Sequence, residues 1–422
     1  LGRFRRNFKT KEKTQMGISI GLVGLGQFGQ AFADLFRSHP AVDRVALCDR
    51  EPQKIKEIAA RRGWDRKFHP RDTYASLDEI LKADLDAIAI ITQPWLHAPQ
   101  CVKAMEAGKH VYSAVPVISL PDADEILDWC GKIVETSRRT GRSYMLGETT
   151  YYRPLTMFCR RKAAEGAFGE FVYAEGEYFH DVDAACCLRD VIRVRTSSAS
   201  GKEWLVEKQR YLGRGAKDGP MHYPTHSTCG PVCVMKARAV KVTAYGYRNR
   251  NRDPFFEDAA FSNEVAFFKM SNGATVRIAE CREVAGSFHE EETFRIMGTA
   301  GSFAEGTWRE NFRRGAPPAK PLVKTKLADA EMRDPLPPEV ALAFKRIEHP
   351  EAKEAGDFVA GGHGGSHPYL VHEFVDAVAK GRQPAIHAWE AARYMVMGAM
   401  AHKSALKDGE TLAVPDFGDS PS

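Results

Sequence analysis

The stretch 17-GISIGLVGLGQFGQAFADLF-36 constrains the fold of this chain more than any other. An apolar run meets Gly24-Leu25-Gly26-Gln27-Phe28-Gly29, and an amphipathic helix pattern follows at once. A glycine triplet alone says little, but between a strand and a helix it is the first turn of a doubly wound α/β unit. Gly24 permits the tight turn. Gly26 lets the backbone approach a pyrophosphate at a helix N-terminus, and Gly29 lets helix and strand pack closely. The second strand, 44-RVALCD-49, ends in Asp49, 20 residues past Gly29. A carboxylate there binds the adenosine ribose hydroxyls, so the spacing predicts NAD; Arg50 faces the adenine or tolerates a 2′-phosphate. The plainer alternative is a Rossmann-like domain with no ligand.

Strands and helices keep alternating to residue 148. Helices are expected at 51–62, 76–83, 97–107 and 121–140, and strands at 86–94, 109–117 and 142–148. That order predicts a parallel sheet over 17–150, with ligands beyond the carboxyl ends of its strands. Thr92, Pro94, Trp95 and His97 fall at one such end, and Ala114, Val115 and Pro116 at the next.

From Tyr151 the pattern changes. A helix at 154–165 precedes strands at 171–180, 239–247, 263–270, 274–281 and 293–299, with Ser271-Asn272-Gly273 as a hairpin turn. Strands without intervening helices predict a second, α+β unit over 151–415, built on a large, mostly antiparallel open sheet. Residues 310–360 have weak periodicity and read as a long excursion, a lid or a subunit contact. Helices return at 367–380 and 387–406, the last able to pack back on the first domain.

Composition narrows the function classes. The net charge of +5 sits largely in 1-LGRFRRNFKTKEKT-14, crowded with Lys and Arg against the single Glu12. The rest is near neutral, which argues against a nucleic-acid surface. Arg5-Arg6-Asn7-Phe8 resembles a fragment of a twin-arginine export signal, but no apolar segment follows it. Residues 1–16 are therefore expected to be a disordered basic tail. No run is long enough for a membrane span, and a cytoplasmic location is expected. The 9 cysteines are scattered, with Cys186 and Cys187 adjacent and no C-x-x-C pair, as for reduced thiols rather than a zinc site.

The motifs 21-GLVGLGQFG-29, 90-IITQPWLH-97, 107-AGKHVYSAVP-116 and 166-GAFGEF-171 occur in order, and with them the chain resembles the Gfo/Idh/MocA family of NAD(P)-dependent sugar oxidoreductases. The resemblance implies a lysine within Glu-Lys-Pro after the fifth strand, and an Asp and a His four apart. Here those positions hold Ala114-Val115-Pro116, and His222 with His226. Tyr223-Pro224-Thr225-His226 and 361-GGHGGSHPYLVHEF-374 resemble the family's NAD-dependent glycosidase branch, glycoside hydrolase family 109; Ala114 departs from it. That branch implies redox-neutral cleavage with retained NAD: oxidation at C3, loss of the C2 proton, departure of the aglycone and addition of water. It implies a small sugar or glycoside as partner, and a homodimer or homotetramer formed through the second sheet. The alternatives are a sugar or polyol dehydrogenase with a relocated base, and a non-catalytic NAD-binding relative.

The expected acid–base groups are His226 and Tyr223, with His222, Glu148 and His180 behind them. Trp95, Arg153 and His363 are expected to meet substrate. Each has a plainer reading: His226 and His222 as satisfied structural histidines, Glu148 as a salt-bridge partner, His363 as a loop residue, Arg153 as a partner for the sheet. A metal site at His222 and His226, with His180 or Asp181, is weakened by Pro224 between them, and no metal is expected.

Overall fold

The computed structural model describes residues 17–183, 188–285, 292–310, 322–356, 358 and 361–421. The expected basic tail and the Cys186-Cys187 pair lie outside the described residues.

The first sheet contains β1 (Ile18–Val23), β2 (Val42–Cys48), β3 (Thr73–Tyr74), β4 (Ala87–Ile90), β5 (His110–Ser113) and β6 (Tyr144–Leu146). Its order is β3-β2-β1-β4-β5-β6, and every pair is parallel. The order reverses between β1 and β4, which opens the ligand crevice at their carboxyl ends. The helices between these strands are α1 (Gln27–Ser38), α2 (Pro52–Ala59), α3 (Leu77–Ile80), α4 (His97–Glu106) and α5 (Ala123–Thr140). Asp122 caps α5 by accepting from the Asp124 and Glu125 N–H groups, and Gly141 ends it at φ +66°. The helix expected over 76–83 is the single turn α3.

The second sheet is larger. Helix α6 (Pro154–Ala164) leads into β7 (Phe171–Phe179). Two helices unforeseen in the sequence, α7 (Leu188–Ser197) and α8 (Ala199–Gly213), come next, followed by α9 (Thr225–Met235). The strands β8 (Ala239–Tyr247), β9 (Asn263–Met270), β10 (Thr275–Cys281), β11 (Glu292–Gly298), β12 (Gly301–Ala304), β13 (Thr307–Glu310) and β14 (Val323–Lys326) complete most of it. The chain closes with α10 (Asp329–Met332), α11 (Pro338–Glu348), α12 (His367–Lys380), α13 (Ala388–Leu406) and β15 (Leu412–Ala413). The order is β14-β13-β12-β11-β7-β10-β9-β8-β15, antiparallel except where β7 pairs with β10. The described part of the expected 310–360 excursion thus holds an edge strand and two helices. Among the described residues no helix is long and apolar enough to cross a membrane.

The two units share a packed boundary. Helix α13 lies on α5, and α12 lies on α1 through Phe36 against Phe374, ring centroids 6.4 Å apart. Helix α9 is buried at every residue and lies on the inner face of the second sheet. Gly176 of β7 permits this, because a Cβ there would stand 1.9 Å from the Ser227 carbonyl oxygen. The inner face presents alternate residues of each strand, and three of these are acids. Glu264, Glu280 and Glu292, with Tyr178 between the last two, form one row across β9, β10, β7 and β11. All three carboxylates are buried and meet partners from outside the sheet.

Candidate active site

The glycine loop fits the pyrophosphate of a dinucleotide. Gly24 has φ +90°, and a Cβ there would come within 2.4 Å of the Ile91 carbonyl oxygen. A Cβ on Gly29 would stand 2.0 Å from the Gly24 carbonyl oxygen. Gly26 differs: nothing in the protein lies within 4 Å of its would-be Cβ. The space above it is open to a ligand. Helix α1 starts there with no side-chain cap and no acid in its first turn, leaving its N–H groups to an anion. Asp49 Oδ2 accepts from the Leu25 N–H at 2.7 Å, which ties the carboxylate expected at the ribose to the loop.

This difference separates two substitutions. Gly26→Ala should leave the melting temperature nearly unchanged but weaken NAD binding by about tenfold or more through lost close approach. Gly29→Ala should lower the melting temperature itself. Thermal unfolding and calorimetric titration read both, and unchanged NAD affinity in Gly26→Ala would remove the loop from the cofactor site.

The ends of β4 and β5 form the adjoining wall. The Thr92 hydroxyl donates to Gln100 at 2.6 Å, and Pro94 is buried. His97, expected to contact the cofactor, is buried between the Pro116 carbonyl at 2.9 Å and the Thr92 carbonyl at 3.2 Å. Burial pushes its pKa down to about 4. It fixes the two loops rather than lining the crevice. Ala114 and Val115 are buried, and the Val115 carbonyl accepts from the Tyr223 hydroxyl at 3.2 Å. That bond brings the 219–231 stretch to the end of β5, the place of the missing lysine.

His226 is the centre of a buried charge cluster. Its Nδ1 lies 2.8 Å from Glu148 Oε1 and 3.7 Å from Glu292 Oε2. Glu148 Oε1 also accepts from the Thr150 N–H at 2.9 Å, while Oε2 is buried without a hydrogen-bond partner. Glu292 accepts from the Thr150 hydroxyl at 2.8 Å and pairs with Arg153 at 2.9 Å. Burial alone would lower the His226 pKa, but the charges of Glu148 and Glu292 overcome it and raise it to about 9. Burial would likewise raise the Glu148 carboxyl, and the facing imidazolium holds it below its ordinary value instead. The pair is therefore ionised at neutral pH. Burial pushes the Tyr223 hydroxyl well up, so among the expected acid–base groups it is one that keeps its proton.

The two histidines of the 219–231 stretch face different clusters. His222 Nδ1 meets Asp218 at 3.0 Å, and its ring packs on His402 at 4.3 Å between centroids. His402 in turn meets Glu264 at 2.8 Å. Burial and the His402 charge lower the His222 pKa, so His222 supports the stretch from behind rather than sharing a site with His226. Ser227 lies inside α9, and its hydroxyl donates to Glu280 and to the Pro224 carbonyl. Gly230 allows the close approach to the sheet, since a Cβ there would stand 2.6 Å from the Phe294 ring.

The remaining expected residues surround this cluster. His180 Nδ1 lies 2.6 Å from the Tyr178 hydroxyl, and the Tyr178 ring meets His226 edge-on at 4.9 Å. His363 is exposed, 3.1 Å from His367, with both rings edge-on to Phe28 of the glycine loop. Trp95 stacks on Trp204 of α8 at 5.0 Å and 9°. Glu148, His226 and Glu292 have ligand atoms within 4.8 Å of one another, a spacing that also suits a metal. Their charges are already matched, however: two carboxylates face the His226 imidazolium and the Arg153 guanidinium. Glu292, Thr150 and Tyr178 escaped the sequence reading; an acid at an inward position of a strand was the signal available for Glu292.

Comparison with known proteins agrees with this architecture. Residues 18–139 match the family model described as "Oxidoreductase family, NAD-binding Rossmann fold", named GFO_IDH_MocA. Residues 18–139 thus carry the NAD-binding Rossmann domain of that oxidoreductase family, the mark of an NAD-dependent enzyme. Residues 336–421 match the model described as "Glycosyl hydrolase 109, C-terminal domain". A glycosyl hydrolase family 109 protein of Solibacter usitatus is 25% identical over 95% of this chain and 88% of its own length. One from Streptomyces niveus is 26% identical over 95% of this chain and 77% of its own. Among solved structures, levoglucosan dehydrogenase in complex with NADH and levoglucosan superposes with a TM-score of 0.67 at 17% identity. That match covers 95% of this chain and 100% of the other, and shows a shared fold.

Proposed function

We propose that this family member cleaves a glycoside by a redox-neutral route, through transient oxidation at C3, elimination of the aglycone and addition of water. The observation that carries the reading is the buried Glu148–His226 ion pair beside Tyr223, whose hydroxyl reaches the Val115 carbonyl where ordinary relatives place a lysine. Similarity to family 109 glycosyl hydrolases over 95% of this chain supports it.

Bound NAD supplies a reversible hydride acceptor beside the sugar. Nδ1 of His226 is held by Glu148, so Nε2 is the atom that, in the fraction of molecules whose imidazole is neutral, takes the proton from the C3 hydroxyl. The imidazolium so formed is stabilised by Glu148 and Glu292. Placed on the C3 oxygen, it polarises the ketone and acidifies the C2–H. The Tyr178–His180 pair stands next to His226 and serves as the proton carrier for C2. Tyr223, which keeps its proton, donates to the departing aglycone oxygen. The same groups run in reverse as water adds and the C3 hydroxyl is restored. Arg153 and His363 border the sugar, with Glu292 orienting Arg153.

The outer face of the second sheet exposes Tyr245, Tyr247, Phe267 and Met297, an apolar surface suited to self-association. A homodimer or homotetramer formed through that face is the assembly we assign. The test of the functional reading is aglycone release from aryl glycosides by purified protein. Release without net NADH formation supports cleavage, whereas stoichiometric NADH from the free sugar would make the protein a dehydrogenase.

A further inference from the structure

Helix α8 reaches across the cofactor crevice, and two consecutive residues make the crossing. Glu203 accepts from Arg50 through both carboxylate oxygens, Nη1 to Oε2 at 3.0 Å and Nη2 to Oε1 at 2.9 Å. Trp204 stacks on Trp95. Arg50 follows β2 and Trp95 follows β4, and these two strands flank β1. The Glu203-Trp204 step therefore straddles the carboxyl end of β1, where the glycine loop opens. Farther along α8, the Tyr211 hydroxyl donates to Glu125 of α5 at 2.9 Å and anchors the helix.

Arg50 is the residue whose role the sequence left open. A guanidinium beside the ribose carboxylate is what recognition of a 2′-phosphate needs, because its planar fork matches phosphate oxygens. Here that fork is taken up by Glu203. The two side chains are 57% and 64% exposed, so the pair contributes little to stability. Its consequence is occupancy of the fork and a second negative charge near Asp49. We propose that Glu203 determines dinucleotide choice, holding Arg50 away from phosphate recognition and turning the adenosine end of the site against NADP. The inference rests on the NAD site alone and stands whichever sugar reaction the enzyme performs.

Calorimetric titration of the full chain with NAD and with NADP, at low ionic strength, tests it. Glu203→Gln should tighten NADP binding by about tenfold, the scale of a freed charge-assisted bidentate contact, and change NAD binding far less. Adding Arg50→Gln to Glu203→Gln should abolish the gain, because the new phosphate contact comes from Arg50. Trp204→Ala loosens α8 without freeing Arg50 and should weaken both dinucleotides alike. An unchanged NADP/NAD ratio in Glu203→Gln would overturn the proposal. So would a gain that survives loss of Arg50, or an equal change of ratio in Trp204→Ala.

Discussion

His226→Ala is expected to lower turnover on a cleavable glycoside by about 10²-fold or more, the usual scale for a positioned acid–base group. NAD affinity should be nearly unchanged, because His226 lies on α9, away from the loop at Gly24–Gly29 and Asp49, the residues expected to hold the dinucleotide. The variant also leaves Glu148 and Glu292 buried with one cation fewer. Loss of one partner from a buried pair typically costs about 3–5 kcal/mol, so unfolding must be measured alongside. His226→Gln, which keeps volume and a polar atom, controls for that cost. Full turnover in both variants would reduce the cluster to a structural element of the domain boundary.

Glu148→Gln should move the pH dependence. In the unmodified protein His226 titrates near 9, so its base form is scarce at neutral pH and kcat/KM should rise up to that pH. Without the Glu148 charge, burial is opposed by Glu292 alone and the limb should move to lower pH, toward the ordinary 6.5. Stability follows the same linkage. His226 has a folded pKa above its unfolded value, so its contribution is complete below pH 6.5 and is lost as pH rises through about 9. Glu148 has a lowered folded pKa, so its contribution is present above pH 4.5 and is lost as pH falls below that. Histidine NMR titration of the free protein checks the assignment; a His226 transition near 6.5 in the unmodified protein would contradict it.

Much of this architecture was legible from local pattern. The limits of β8, β9 and α12 coincide with the expected runs, because alternation and helical period are strong there. The glycine loop, Asp49 and Glu148 stand at the ends of recognisable strands, whereas His226, on α9, is marked in the sequence only by the resemblance of Tyr223-Pro224-Thr225-His226 to the glycosidase branch. Helices α7 and α8 were not legible. No residue of α7 is buried and α8 buries only Gly201 and Tyr211, so neither helix gives an apolar face to the core, and Glu203 and Trp204 of α8 went unnoticed. The parallel pairing of β7 with β10 was also hidden, since some ninety residues separate them and no local signal sets their register. His222 misled for a related reason. Its spacing from His226 suggested a shared site, whereas the 3₁₀ turn at Pro220–His222 and the start of α9 at Thr225 aim the two rings at different carboxylates.

The central claim is that cleavage proceeds by elimination across C1 and C2, driven by a ketone at C3. Reaction in D2O with a glycoside protonated at C2, followed by NMR of the released sugar, tests it most directly. The C2 proton is removed before the aglycone leaves and is replaced from solvent as water adds, so deuterium should appear at C2 in every product molecule that has turned over. Direct displacement at C1 needs no such exchange, and product carrying only protium at C2 would contradict the account.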